Sequence, residues 1–93
     1  MEIKSFAHMI DQLGFPIVDQ VSKSKGVITS ASIDLYGCVQ FVVNPGVDKD
    51  GKPQDSRWYD ASRLTITGKR VMEPIPPRYG TSPGGEDKPM QAA

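Results

Sequence analysis

The residues VITSASIDLYGCVQFVV, from Val27 to Val43, contain two extended runs on either side of a polar turn. Residues 27–33 alternate between the two sides of the chain and are rich in β-branched types, which is typical of a strand. Residues 38–43 form a second, more apolar run. Between them, Asp34–Gly37 predicts a hairpin turn, since Gly37 can adopt a positive φ. We therefore predict a β-hairpin at the centre of the chain.

Three further short segments predict strands around this hairpin: Phe15–Val18, Arg57–Tyr59 and Leu64–Ile66. A polar loop over residues 47–55, with a turn at Asp50-Gly51, separates the hairpin from the later strands, and residues 60–62 predict a 3₁₀ turn. Five short strands are best closed as a barrel, because closure removes unpaired strand edges. We predict a mainly β fold, a small SH3-like barrel over residues 15–70. An open meander backed by the N-terminal helix is the alternative.

The two ends of the chain differ from this central domain. In the N-terminal segment, residues 1–14, a short helix is predicted from Ser5 as N-cap to Gly14. Its apolar face would consist of Phe6, Met9, Ile10 and Leu13. Residues 71–93 hold five of the eight prolines and the Gly84-Gly85 pair. Such a composition buries too little apolar surface to offset the entropy of ordering, so we expect a disordered, flexible C-terminal tail.

Composition limits the class of protein. The 93 residues fit one small domain, and the formal net charge is zero. No apolar run approaches the roughly 18 residues that span a bilayer, and Met1–Lys4 lacks the pattern of a signal peptide. Cys38 is the only cysteine, so no internal disulfide can form. These features lead us to expect a cytoplasmic protein.

No residue pattern points to catalysis, a metal or a cofactor. Cys38 and the single histidine, His8, are candidates for a nucleophile and its base, but we interpret Cys38 as a buried structural residue at the start of a strand. The carboxylates Asp34, Asp55 and Asp60 lie at predicted turns, where Asp bonds to its own backbone. The Asp48-Lys49-Asp50-Gly51 loop places glycine at the fourth position, whereas a calcium loop of this type has it at the sixth. The sequence therefore favours a protein that is not an enzyme.

Four motifs between residues 13 and 66 resemble a group of small phage and prophage proteins of unknown function. The pattern of that group is LGxxVxDxV, LxGC, DKDGK and W(F/Y)Dxx(R/Q)L, and the corresponding residues here are Leu13–Val21, Leu35–Cys38, Asp48–Lys52 and Trp58–Leu64. Lys23-Ser24 stands where those proteins usually carry Gly-Phe. The resemblance implies a phage or prophage origin and a small-barrel fold, with the protein in the host cytoplasm or the virion. It implies no activity.

Aromatic and arginine side chains in the barrel predict a surface for a protein partner, because these types dominate interface hot spots. Trp58 and Tyr59 are consecutive in a strand, so we expect one to be buried and the other exposed. The predicted partner-binding residues are Tyr36, Arg57, Trp58, Tyr59 and Arg63. The partner would be a phage structural protein or a host factor, so that the protein acts in virion assembly or in host interference.

Nucleic-acid binding is the alternative function, and small-ligand binding is the third. Six cations could gather on one side of the barrel: Lys23, Lys25, Arg57, Arg63, Lys69 and Arg70. However, residues 1–71 carry nine Lys/Arg and eight Asp/Glu. A net charge of +1 releases few counterions on binding phosphates, so a protein partner remains the first expectation.

Overall fold

A computed structural model describes residues 1–77 of the chain, and the predicted disorder of residues 78–93 lies outside this range. The described part contains one short helix, five strands and a 3₁₀ turn. In chain order these are α1 (Phe6–Ile10), β1 (Pro16–Asp19), β2 (Lys25–Ile33), β3 (Val39–Asn44), β4 (Arg57–Asp60), the 3₁₀ turn (Ala61–Arg63) and β5 (Leu64–Ile66).

The five strands form one antiparallel sheet in the order β4-β3-β2-β1-β5. The first residues of β2 pair with β1, and its later residues pair with β3. The β2–β3 register shifts between Ile28 and Ser30. The fold is not a simple meander, because β1 also pairs with the last strand, β5, through Ile17–Ile66, Val18–Thr65 and Asp19–Leu64. The predicted mainly β fold with five strands is confirmed.

The connection between β4 and β5 shows that the sheet is curled into a barrel. These strands are the two edges of the sheet, and a flat sheet of five strands would separate them by roughly 19 Å. Only the turn Ala61–Arg63 joins them. Three residues of 3₁₀ helix advance the chain by about 6 Å. The end of β4 must therefore lie close to the start of β5, so the sheet is curled into the predicted SH3-like barrel, although β4 and β5 do not pair with each other.

The core lies inside the curled sheet and beneath α1. Its fully or nearly fully buried apolar residues are Met9, Ile17, Ile28, Phe41, Val43, Ala61 and Leu64. They come from α1, four strands and the 3₁₀ turn, and within β3 the buried positions Phe41 and Val43 alternate with exposed or half-buried neighbours. The apolar run that predicted this strand therefore has one side in the core and one side facing outward.

The helix is shorter than predicted and its apolar face is only partly buried. The Ser5 side chain accepts a hydrogen bond from the His8 backbone N–H at 3.0 Å, which confirms Ser5 as the N-cap. Met9 is buried, but Phe6 is 66% exposed and Ile10 is 42% exposed. A helix of five residues turns too little of its surface toward the barrel to bury all four apolar side chains.

The expectation that Cys38 is buried is wrong. Cys38 lies before β3 and is exposed. Its backbone N–H donates to Asp34 Oδ1 at 2.9 Å, so the residue belongs to the hairpin turn rather than to the strand. In this turn Gly37 has a φ of 84°, as predicted.

The chain that follows β5 is anchored to the junction between α1 and β1. The Val71 N–H donates to the Gly14 carbonyl at 2.7 Å. Gly14 has a φ of 90°, and a Cβ at this position would overlap the Met72 carbonyl oxygen. The Arg70 guanidinium donates to the Leu13 carbonyl at 3.1 Å and to the Asp11 carbonyl. Residues 71–77 of the predicted tail contain no helix or strand.

Candidate partner-binding surface

Trp58 and Tyr59 project from opposite sides of β4. Tyr59 pairs with Phe41 and packs against the core, whereas Trp58 pairs with Val42 on the outer side of the sheet. The Trp58 side chain is 54% exposed and Tyr59 is half-buried. The prediction that one of the two faces solvent is confirmed, and the exposed one is Trp58.

The inner side of β4 borders a depression of about 380 Å³. It lies where the beginnings of β2 and β4 and the end of β3 come together, and its lining residues are Ser24, Lys25, Val43, Pro45, Gln54, Asp55, Arg57 and Tyr59. Lys25 and Arg57 make no ion pair with any residue in the range 1–77. With two cations and the Asp55 carboxylate, the lining carries a net charge of +1. We refer to this feature as the β4 depression.

Arg63 is held by a buried carboxylate. Its Nε donates to Asp19 Oδ1 at 2.8 Å and its Nη2 donates to Asp19 Oδ2 at 2.6 Å. The Asp19 side chain is fully buried, and Oδ2 also accepts from the Ser22 hydroxyl at 2.5 Å and from the Ser22 N–H at 2.8 Å. Such bidentate, charge-assisted hydrogen bonds are among the strongest that side chains make.

These hydrogen bonds stabilise the ionised form of Asp19. The Arg63 guanidinium holds the pKa of the Asp19 carboxyl well below its usual range, against the opposing effect of burial, and the bonds from Ser22 lower the pKa further. The same contact raises the pKa of Arg63. The Arg63 guanidinium carbon also lies 5.5 Å from the centre of the Tyr59 ring. Arg63 therefore ties β1, β4 and the 3₁₀ turn together.

Tyr36 lies in the hairpin turn between β2 and β3 and is 86% exposed. Asp34 Oδ1 accepts hydrogen bonds at 2.9 Å from the N–H groups of Tyr36 and Cys38, which fixes the turn. Leu35, at the tip of the same turn, is 89% exposed. An ordered turn with two exposed apolar side chains can contact a partner at a small entropic cost.

The five predicted partner-binding residues therefore do not form one continuous surface. Arg57 and Tyr59 line the β4 depression, with Arg63 against the Tyr59 ring. Trp58 lies on the other side of the same strand. Tyr36 precedes β3, whereas Arg57 pairs with Val43 at the far end of that strand, a separation of roughly 13 Å along β3.

Sequence reasoning missed two features of these surfaces. Asp19 was not identified as buried, although the period of two from Ile17 in β1 would place it on the inner face. Phe6 and Ile33 were also missed. Both are exposed beside the hairpin turn, where they line a depression of about 230 Å³ together with Ile3, Met9 and Val39. The clue for Phe6 was that a short helix can bury only part of its apolar face.

Two of the six cations considered for nucleic-acid binding are engaged within the fold. Arg63 is bound to Asp19. Arg70 is bound to the backbone near the end of α1, its Nη1 lies 3.0 Å from Glu73 Oε1, and its guanidinium carbon lies 4.7 Å from the centre of the Phe15 ring. Lys23, Lys25, Arg57 and Lys69 make no ion pair among residues 1–77.

Comparisons with known proteins give no assignment. No family model, no curated protein and no solved structure matches the chain. Within residues 1–77, no three His, Cys, Asp or Glu side chains are grouped so that they could hold a metal ion. The same part of the chain contains no helix with the length and apolar character needed to cross a membrane.

Proposed function

We propose that this chain is a non-enzymatic interaction module of a phage or prophage that binds a partner protein. The partner is a phage structural protein or a host factor, so the module acts in virion assembly or in host interference. Its place is accordingly the virion or the host cytoplasm. The phage assignment rests on the sequence resemblance, and the binding role rests on the exposed side chains of the barrel.

The observation that carries the binding role is the exposure of Trp58. A small domain gains stability from burying its single tryptophan, yet this ring is 54% exposed on an ordered edge strand, where it contributes little to the core. Tryptophan is the residue type most enriched among interface hot spots. Tyr36 and Leu35, both more than 80% exposed, add a second set of apolar contacts at the hairpin turn.

A protein partner is favoured over nucleic acid by the distribution of charge. Of the six candidate cations, Arg63 and Arg70 are held by carboxylates and backbone carbonyls of the fold. Asp55 lies in the same depression as Lys25 and Arg57. The other four cations make no ion pair among residues 1–77, but residues 1–71 carry a net charge of only +1. So small an excess of positive charge favours a protein partner, because nucleic-acid binding depends on a large excess of unpaired cations.

Affinity purification from infected cells, followed by mass spectrometry, tests the proposal. The full chain is compared with Trp58→Ala, Tyr36→Ala and the control Val47→Ala. Val47 is 60% exposed in the loop before β4, so its truncation removes exposed apolar surface outside the proposed contacts. We expect wild type and Val47→Ala to capture the same phage or host protein. Trp58→Ala or Tyr36→Ala should bind that protein at least about fivefold more weakly, which corresponds to roughly 1 kcal/mol.

Two results would contradict the proposal. One is capture of the same partner at wild-type strength by both folded variants. The other is retention of the purified protein on heparin well above physiological salt, because this would indicate the excess of unpaired cations that nucleic-acid binding requires.

A further inference from the structure

The outer edge of β4 carries backbone groups without a partner in the sheet. Among residues 1–77, strand β4 is terminal in the strand order and pairs only with β3. The hairpin turn fixes which groups point outward. Asp34 N–H donates to the Cys38 carbonyl, so the alternating pattern directs the backbone groups of Gln40 and Val42 toward β2. Those of Phe41 and Val43 therefore point toward β4.

The register between β3 and β4 completes this assignment. Phe41 is opposite Tyr59 and Val43 is opposite Arg57, so the backbone groups of Tyr59 and Arg57 bond to β3. The N–H groups of Trp58 and Asp60 and the carbonyl of Trp58 then point away from the sheet. No backbone or side-chain group of residues 1–77 forms a hydrogen bond with these three outward groups.

This edge is short and has a charged residue at each end, Arg57 and Asp60, but it lacks two of the usual protections against an added strand. Proline and bulges normally prevent pairing at sheet edges. Strand β4 contains no proline, and its register with β3 runs without a shift over all four pairs. Outward backbone groups beside an exposed tryptophan are the elements that strand addition uses for affinity and for side-chain selection.

The two sides of β4 define the chemistry of the segment that would pair there. In an added strand, successive side chains point to opposite sides. Those on the inner side would reach the β4 depression, where Lys25 and Arg57 outnumber the single carboxylate, Asp55. Those on the outer side would lie along the exposed ring of Trp58.

We infer that the free edge of β4 binds an extended segment of the partner as an additional strand. The segment alternates acidic residues, which face Lys25 and Arg57, with apolar residues, which cover Trp58. This inference rests on the proposed function and specifies its partner.

A titration with defined peptides tests the chemistry. The probe is a capped five-residue peptide of alternating Glu and Val, and its control replaces each Glu by Lys. In ¹⁵N-labelled full chain, we expect the Glu-Val peptide to shift the amide signals of Trp58 and Asp60 and to slow their hydrogen exchange. The amides of Arg57 and Tyr59, already bonded to β3, serve as internal references. The Lys-Val peptide should bind at least about fivefold more weakly.

A pair of variants at Asp60 tests the backbone contact separately. Asp60 has a φ of −61°, which proline adopts without strain, and its N–H points outward. Asp60→Pro therefore removes one edge donor, whereas Asp60→Ala keeps this donor and removes the same carboxylate, which accepts from Gln40. We expect equal thermal stability for the two variants and at least threefold weaker peptide binding for Asp60→Pro.

Several results would overturn the inference. Unprotected Trp58 and Asp60 amides with both peptides would exclude strand addition, as would equal binding by the two Asp60 variants. Equal affinity for Glu-Val and Lys-Val peptides would exclude the acidic preference. A single strand of twenty thymidines that produces the same protection more tightly would make nucleic acid the ligand. If Trp58→Ala abolishes capture of the natural partner while Asp60→Pro does not, the proposed function stands and this edge mechanism fails.

Discussion

On the inner side of β4, Tyr59 packs against the core and beneath the Arg63 guanidinium. On the outer side, Trp58 is more than half exposed to solvent. These neighbouring aromatic residues were equivalent as sequence candidates for partner binding. The structure separates them, because the inner one has contacts within the fold and the outer one has few. The comparison indicates that an aromatic residue is a candidate for partner binding only if its side chain is not already packed in the core.

The largest difference between the two sides should appear on truncation within β3, the strand that supports both. Phe41 is fully buried on the inner side, and Phe41→Ala should lower the free energy of unfolding by about 3–5 kcal/mol. Its neighbour Val42 faces outward and is half-buried, so Val42→Ala should cost less than about 1.5 kcal/mol. Urea unfolding measures both values. Similar losses would show that the inner and outer sides are not distinct.

Asp19 provides the next test, because its carboxylate anchors the inner side through Arg63. Its pKa is lower in the folded protein than in the unfolded chain. The ion pair therefore adds stability above the unfolded value of about 4, and this contribution is lost as the pH falls. Asp19→Asn should be less stable than wild type at pH 7, and the difference should shrink toward pH 3.

Urea unfolding at several pH values measures the Asp19 effect, with Asp34→Asn as an informative control. Asp34 is exposed, and within residues 1–77 its carboxylate accepts only from backbone N–H groups of its own turn. Its variant should change stability much less than Asp19→Asn at pH 7. A difference between Asp19→Asn and wild type that stays constant from pH 7 to pH 3 would show that Asp19 does not titrate as this geometry requires.

The smallest effect on stability is expected for the outer side of β4 itself. Trp58→Ala removes a ring that is over half exposed, and it should change the free energy of unfolding by less than about 1 kcal/mol. Tyr59→Ala should cost more, because it removes a ring that packs against the core and the Arg63 guanidinium. Thermal unfolding of both variants gives the order. The reverse order would place Trp58 among the structural residues.

The strands were predictable because their signals are local. Residues 64–66 were predicted as a strand with the bounds that the structure shows, and the hairpin strands differ by one or two residues at their ends. Alternating burial and a turn glycine lie within a few residues of each other in sequence. The pairing of β1 with β5 joins residues nearly fifty positions apart, and no local pattern specifies it. The prediction of a closed barrel did not specify which strands would pair.

The candidate site was less predictable, because residue types do not reveal their neighbours. Tyr36 and Trp58 are exposed, as a binding role requires, whereas Arg63 is bound to Asp19. Nothing near Arg63 in sequence indicates a buried carboxylate in β1. The exposed position of Cys38 has a similar cause, since the side chain of Asp34 draws its N–H into the turn and away from the strand.

The pairing of β1 with β5 also has a consequence during protein synthesis. Strand β1 is made early, but one of its edges stays unpaired until Leu64–Ile66 has left the ribosome. The first-formed β1–β2 and β2–β3 pairs, with Ile17 and Phe41, therefore await the last strand before they can enclose a core. Since non-local pairing slows folding, the nascent chain exposes the unpaired edge of β1 at least until β5 has been made. Substitutions that weaken β5 should therefore lower the soluble yield on expression even where they change the free energy of unfolding only slightly.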